Sequence, residues 1–160
     1  MQEKEISFRL QIFSNESELE PKDANVLKTA RNFLPNSYAP YSNFQVAAAI
    51  ELSNGEIVCG ANQENAAYPM CVCAEVTALS AATSKFPGIA PAKMAVVINS
   101  LNKISDQPAA PCGQCRQTIF EYEKRFGKKI EIIMAAAQGP IYKVSSIGEL
   151  LPLHFSGSDL

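Results

Sequence analysis

Gln45-Val-Ala-Ala-Ala-Ile-Glu-Leu-Ser-Asn-Gly-Glu-Ile-Val-Cys-Gly60 is the stretch that decides the fold. Residues 45–52 and 56–60 are two strand candidates joined around Asn54-Gly55, the strongest short-range hairpin signal. Downstream, Met94 to Ile98 and Ile130 to Ala136 read as short buried strands, and Ile141 to Val144 as one more, followed by a helical turn at Glu149-Leu-Leu. Helices alternate with them. Asp23 is placed to cap a helix whose apolar face is Val26, Leu27, Ala30, Phe33 and Leu34, and which Pro35 ends. The alanine-rich, proline-free run after Cys73 forms a second helix, and residues 113–126, just after Pro111, a third. Helix, hairpin, helix, strand, helix, strand is the order of an α/β sheet with helices on its faces, and the hairpin makes the strand directions mixed.

Outward from this centre, residues 6–13 alternate apolar and polar, which suits an added N-terminal edge strand. Residues 15–21 are a polar linker, so the expected organisation is an extension over 1–22 and one domain over 23–160. A length of 160 residues fits one compact domain, and 47% hydrophobic with 19% charged residues provides a core. The net charge of −2 and pI near 5.5 lack the basic footprint of a nucleic-acid binder, which favours a small substrate. The basic cluster Lys124-Arg125 and Lys128-Lys129 sits where a helix should end and its dipole welcomes cations. Neither a leader nor a membrane-spanning run is visible, so a cytoplasmic protein that touches no membrane is expected. Five cysteines then point to metal or thiol chemistry rather than a disulfide framework.

Cys112-Gly-Gln-Cys115 is a common half of a zinc site, because a short loop lets two thiolates face one ion. A redox pair is the competing reading, but zinc prefers four ligands and Cys73-Ala-Glu75 offers a third cysteine upstream. Both sites stand where a helix should begin, so backbone N–H groups and the helix dipole favour thiolates there. Three protein ligands leave a fourth position for water, the arrangement of a catalytic site. Zinc deaminases pair such a metal with Pro-Cys-x-x-Cys and with a Glu that moves protons without binding the metal. Pro111-Cys-Gly-Gln-Cys115 and Glu75 fit that pattern. Cys71 offers an alternative ligand two residues early, but only Cys73 keeps the motif's spacing to Glu75.

With these motifs the chain resembles the cytidine deaminases of the short, three-cysteine type. The likeness runs from about Tyr38 to Leu160 through Tyr41-Ser-Asn-Phe44, Asn62-Gln-Glu64-Asn-Ala-Ala-Tyr68, Cys73-Ala-Glu75, Pro111-Cys-Gly-Gln-Cys-Arg-Gln117 and Leu150-Leu-Pro-Leu-His-Phe155. It implies a three-layer α/β/α fold with a five-stranded mixed sheet and one zinc ion per chain. It also implies hydrolytic deamination of cytidine and deoxycytidine in pyrimidine salvage, by a homotetramer, or at least a homodimer, with shared sites. Asn62 and Glu64 resemble the ribose-binding pair, Phe44 a residue that packs near sugar and base, and the Ala74 backbone the group that meets the pyrimidine carbonyl. Phe155 resembles an aromatic reaching the base from a neighbouring subunit.

Taken alone, several of these residues have simpler readings. Asn62 and Glu64 suit a polar turn, Phe44 a core position, and Phe155 an exposed tail. Cys59 reads as a small buried residue, and His154 lies too far from the cysteine motifs to be a ligand. One departure stands out: three-cysteine members commonly place Arg after the catalytic Glu, and here the residue is Val76. Arg116 is then the candidate to donate to the ligand thiolates in its stead. The rival functions are the same chemistry on another aminated base, such as a cytosine-containing antibiotic, and a non-enzymatic zinc-stabilised module. Glu75 beside an open metal position argues against the second.

Overall fold

A computed structural model describes residues 1–160. Six strands form one mixed sheet: β1 (Gln11–Phe13), β2 (Phe44–Leu52), β3 (Ile57–Ala61), β4 (Pro91–Ser100), β5 (Glu131–Ala136) and β6 (Ile141–Val144), in the order β1-β6-β5-β4-β2-β3. All neighbours are antiparallel except β4 and β5. A parallel pair needs a crossover connection, and the chain supplies it with helix α3 (Gly113–Phe126). The other helices are α1 (Pro21–Phe33) and α2 (Ala74–Lys85). The expected three-layer fold is present, with five strands in the central sheet and the N-terminal strand added at its edge. Gly55 takes the positive φ of 88° that the β2–β3 turn demands.

Alternation along the strands divides the core in two. Ala48, Ile50, Met94, Val96, Ile132 and Met134 face α2 and α3, while Ala49, Ala95, Val97 and Ile133 face Val26, Leu27 and Ala30 of α1. None of the helices is long and apolar enough to cross a membrane.

Two expectations need correction. The N-terminal strand covers only Gln11–Phe13, and residues 1–10 carry no regular structure. Its partner is the cause: β6 has four residues, Gln11 already pairs with Lys143, and beyond Val144 the chain turns into a 3-10 helix at Ile147–Glu149. Asp23 does not cap α1. Pro21, whose fixed φ suits the first helical position, starts the helix three residues earlier than an Asp23 cap would, and Leu19 just before it already packs in the core.

Asp23 instead points into the interface between α1 and the sheet, 2% exposed, where it accepts hydrogen bonds from Lys93 and from Lys143 at 2.6 Å. Glu131 completes the group at 2.5 Å from Lys143. Burial alone would raise the Asp23 pKa, but the hydrogen bonds and positive charges of Lys143 and Lys93 outweigh it and hold the carboxyl below its ordinary value. Removing one partner from such a group leaves buried charges uncompensated, typically costing about 3–5 kcal/mol. Because the folded-state pKa is depressed, this stabilisation is present above the unfolded value near 3.8 and is lost as pH falls through the lower folded value. Urea unfolding of wild type and Asp23→Asn should therefore show a gap of several kcal/mol at pH 7 that closes with acidification below about pH 4. A gap that does not depend on pH would contradict this account.

Candidate metal centre and pocket

Two helix beginnings converge on one point. Cys73 is the residue before α2, and Cys112 the residue before α3, where its sulfur accepts a hydrogen bond from Cys115 N at 3.5 Å. Cys115 lies in the first turn of α3 and is fully buried. The three sulfurs lie within 4.8 Å of one another, and Cys73 Sγ is 4.0 Å from Cys112 Sγ. Unpaired N–H groups and the positive ends of two helix dipoles face this cluster, which stabilises negative charge on sulfur. A hydrogen bond from Cys115, joined by one from Cys112, brings the Cys73 pKa down to about 7 against the opposing effects of burial and of Glu75. The same hydrogen bond, together with burial, pushes the Cys115 pKa up. Sulfurs so gathered fit one zinc ion per chain, three donors from the protein and one side left open.

The α2 end of the cluster depends on close packing. A side chain at Gly60 on β3 would come within 2.8 Å of Ala74 O and collide with Ala78 N. Ala74, Ala78 and Ala82 repeat every four residues and are fully buried, so α2 presents a flat face of small side chains to the sheet. Sequence reasoning missed Gly60; the signal was a lone glycine inside a strand, which marks close backbone approach.

The open side of the cluster faces a cavity of about 270 Å³, near the lower end of the size range for small-ligand sites. Cys73, Cys112, Ala74 and Glu75 line it, with Phe44, Asn62 and Glu64 on other walls. Cys115 lies behind. Glu75 is only 5% exposed, and burial pushes its carboxyl pKa above the usual range. Val72, Ala109 and Ala110 form a further wall that sequence reasoning missed; the small pair directly before Pro111 was its signal.

Asn62 and Glu64 occupy the pocket wall, and they also brace the start of β2 and the loop before it, respectively. Asn62 donates to Phe44 O and accepts from Val46 N, each at 2.9 Å. Glu64 accepts from Tyr41 N at 2.9 Å, Ser42 N at 3.2 Å and the Ser42 hydroxyl, and the Ser42 hydroxyl bond leads in lowering its pKa. Cys71 lines the cavity too, but its sulfur bonds to the backbone of Asn65 and stands outside the cluster. Cys59 is half-buried, and burial raises its thiol pKa.

Arg116 does not take the place expected for it. Its Nε donates to Pro111 O at 2.7 Å and an Nη to Leu150 O at 2.9 Å, so the guanidinium ties the Cys112 loop to the C-terminal segment rather than to a thiolate. The reason is position: the adjacent carbonyls are unpaired acceptors within reach. Phe155 is 58% exposed and does not line its own chain's cavity; its carbonyl accepts from Gln117 Nε2 at 2.9 Å. The neighbouring His154 ring stacks on Phe120, 3.9 Å between centroids.

Residues 20–128 match the family model for the cytidine and deoxycytidylate deaminase zinc-binding region. The chain belongs to this family. Within it, the chain is 35% identical to a cytidine deaminase of Halalkalibacterium halodurans over 84% of its own length and 95% of the relative's. A probable cytidine deaminase of Dictyostelium discoideum is 36% identical over 91% of this chain and 89% of its own. Among solved structures, the cytidine deaminase of Burkholderia pseudomallei superposes with a TM-score of 0.71 at 38% identity, covering 82% of this chain and 97% of that one. For this deaminase-family chain the ligand set has a direct consequence. Cys112→Ala combined with Cys115→Ala should lower zinc content from one ion per chain to near zero by metal analysis, since one sulfur cannot hold the ion. Retained zinc would place the metal elsewhere.

Proposed function

We propose that this chain hydrolyses cytidine and deoxycytidine to uridine and deoxyuridine with release of ammonia, in the cytoplasm and in the service of pyrimidine salvage. The observation that carries the reading is a buried carboxyl, Glu75, beside three converging thiols on the wall of a cavity of small-molecule size. The relatives named cytidine deaminase support the substrate. The acidic charge balance supports a nucleoside over a polynucleotide.

Cys73, Cys112 and Cys115 would hold the zinc ion. Bound there, zinc supplies Lewis acidity, which can lower the pKa of a water to about 7. Glu75 takes one proton from the water that attacks ring C4 and delivers it to ring N3; it then takes the remaining proton of the hydroxyl added at C4 and passes it to the amine, which leaves as ammonia while the C4 carbonyl forms. Its burial suits the task, because a carboxyl with a raised pKa both accepts and returns a proton near neutral pH. Asn62 has one amide hydrogen and one lone pair beyond those that brace the start of β2, and with Glu64 it suits sugar hydroxyls. Phe44 packs against the sugar and base, and the Ala74 backbone meets the pyrimidine carbonyl.

Phe155, exposed on its own chain, is assigned to the site of a neighbouring copy within a homotetramer, where stacking on a pyrimidine contributes about 1–3 kcal/mol. Residues 153–160 are then part of an interface. Deleting them should raise KM for cytidine with a smaller effect on kcat; unchanged kinetics in a monomer would remove Phe155 from the site. Glu75→Gln should leave a folded, zinc-loaded protein whose kcat for cytidine, followed by ultraviolet absorbance, falls at least about 100-fold. Near-normal turnover would exclude Glu75 as the proton carrier.

A further inference from the structure

We propose that residues 3–11 pair antiparallel with the same residues of a second copy of this chain, centred on Ser7, to form a two-stranded ribbon that continues β1. The first observation is an apolar face without a partner. Ile6, Phe8, Leu10 and Ile12 are 50%, 56%, 37% and 62% exposed, and they occupy alternate positions, which would place them on one face once the segment is drawn into a strand. The segment runs straight into β1, the outermost strand of the sheet, bonded to β6 along one side and open along the other. An apolar, unpaired strand edge is a template for pairing with another chain.

The occupant follows from the sequence of the segment itself. With Ser7 on a two-fold axis, Glu5 of each copy faces Arg9 of the other, and Ile6 faces Phe8. Charges of opposite sign meet on one face and Ile6 and Phe8 on the other, twice over, as a self-complementary interface requires, and at each end of the ribbon the aliphatic stem of Lys4 lies against Leu10. Neither Glu5 nor Arg9 takes part in the salt bridges within the chain, so both are free to pair across the axis. Other registers are worse. Centring on Phe8 keeps an apolar face, Phe8 on Phe8 and Ile6 on Leu10, but sets Arg9 against Ser7 and Glu5 against Gln11 and loses both ion pairs; centring on Ile6 pairs Glu3 with Arg9 but sets Phe8 against Lys4 and Leu10 against Gln2. A one-residue slip turns apolar side chains toward polar ones. An isolated two-stranded ribbon is marginal in water, and attachment to β1, already hydrogen-bonded into a six-stranded sheet, anchors this one. The contact uses the opposite end of the chain from Phe155 and does not depend on the proposed activity.

Sedimentation of the full chain over a dilution series tests the proposal. Removing residues 1–10 should raise the concentration at which the heaviest species half-dissociates by at least about tenfold. Glu5→Arg sets like charges opposite each other at two places and should shift it in the same direction, whereas Glu5→Arg combined with Arg9→Glu should restore it to near the wild-type value. Under mild oxidation Ser7→Cys, which meets its own copy at the axis, should give a covalent dimer above the wild-type background, and Phe8→Cys should not. Equal midpoints for full and truncated chains would overturn the proposal, as would a double reversal no stronger than the single one. Unchanged mass together with binding of the full but not the truncated chain to phosphatidylserine vesicles would assign the apolar face to lipid and overturn it too.

Discussion

The first turn of α2 lies against β3 at a distance that only a glycine allows, and the rest of the site depends on that contact. A side chain at Gly60 would press on Ala74 O and Ala78 N, both backbone atoms that cannot swing away. Ala74, Ala78 and Ala82 complete the flat face, so the helix axis is set by the sheet. Cys73 immediately precedes that turn and Glu75 lies within it. Their positions relative to α3 are therefore fixed by packing between a helix and a strand, on rigid elements rather than on a mobile loop.

The second consequence is electrostatic. Three sulfurs within 4.8 Å would repel one another as thiolates, and the fold meets that charge with two helix N-termini rather than with a cationic side chain. Val76 brings no donor, and Arg116 is committed to Pro111 O and Leu150 O. Arg116 ties the residue before Cys112 to the C-terminal segment. Asn62 and Glu64 show a related economy: the groups proposed for the sugar also hold the start of β2 and the Tyr41–Ser42 turn beside the pocket.

Much of this was legible in the sequence because it is carried by local signals. Asn54-Gly55 marks the hairpin, and Cys73-Ala-Glu75 with Pro111-Cys-Gly-Gln-Cys115 mark the two helix starts that the structure brings together. What was not legible depends on partners far away in the chain. Asp23 resembles a helix cap until Lys93 and Lys143 are seen beneath it. The alternation of residues 6–13 promises a long strand, but the length of β6 limits it to three residues. Arg116 follows a ligand directly, and only the path of residues 150–155 back across α3 shows what it binds.

Three cysteines are placed to hold one zinc ion with one side open to the cavity beside Glu75. X-ray absorption at the zinc edge of the purified protein measures this directly. Three sulfur neighbours at about 2.3 Å and one oxygen or nitrogen at about 2.0–2.2 Å are the expected result. Four sulfur neighbours, with Cys71 drawn in, would describe a closed structural site and contradict it.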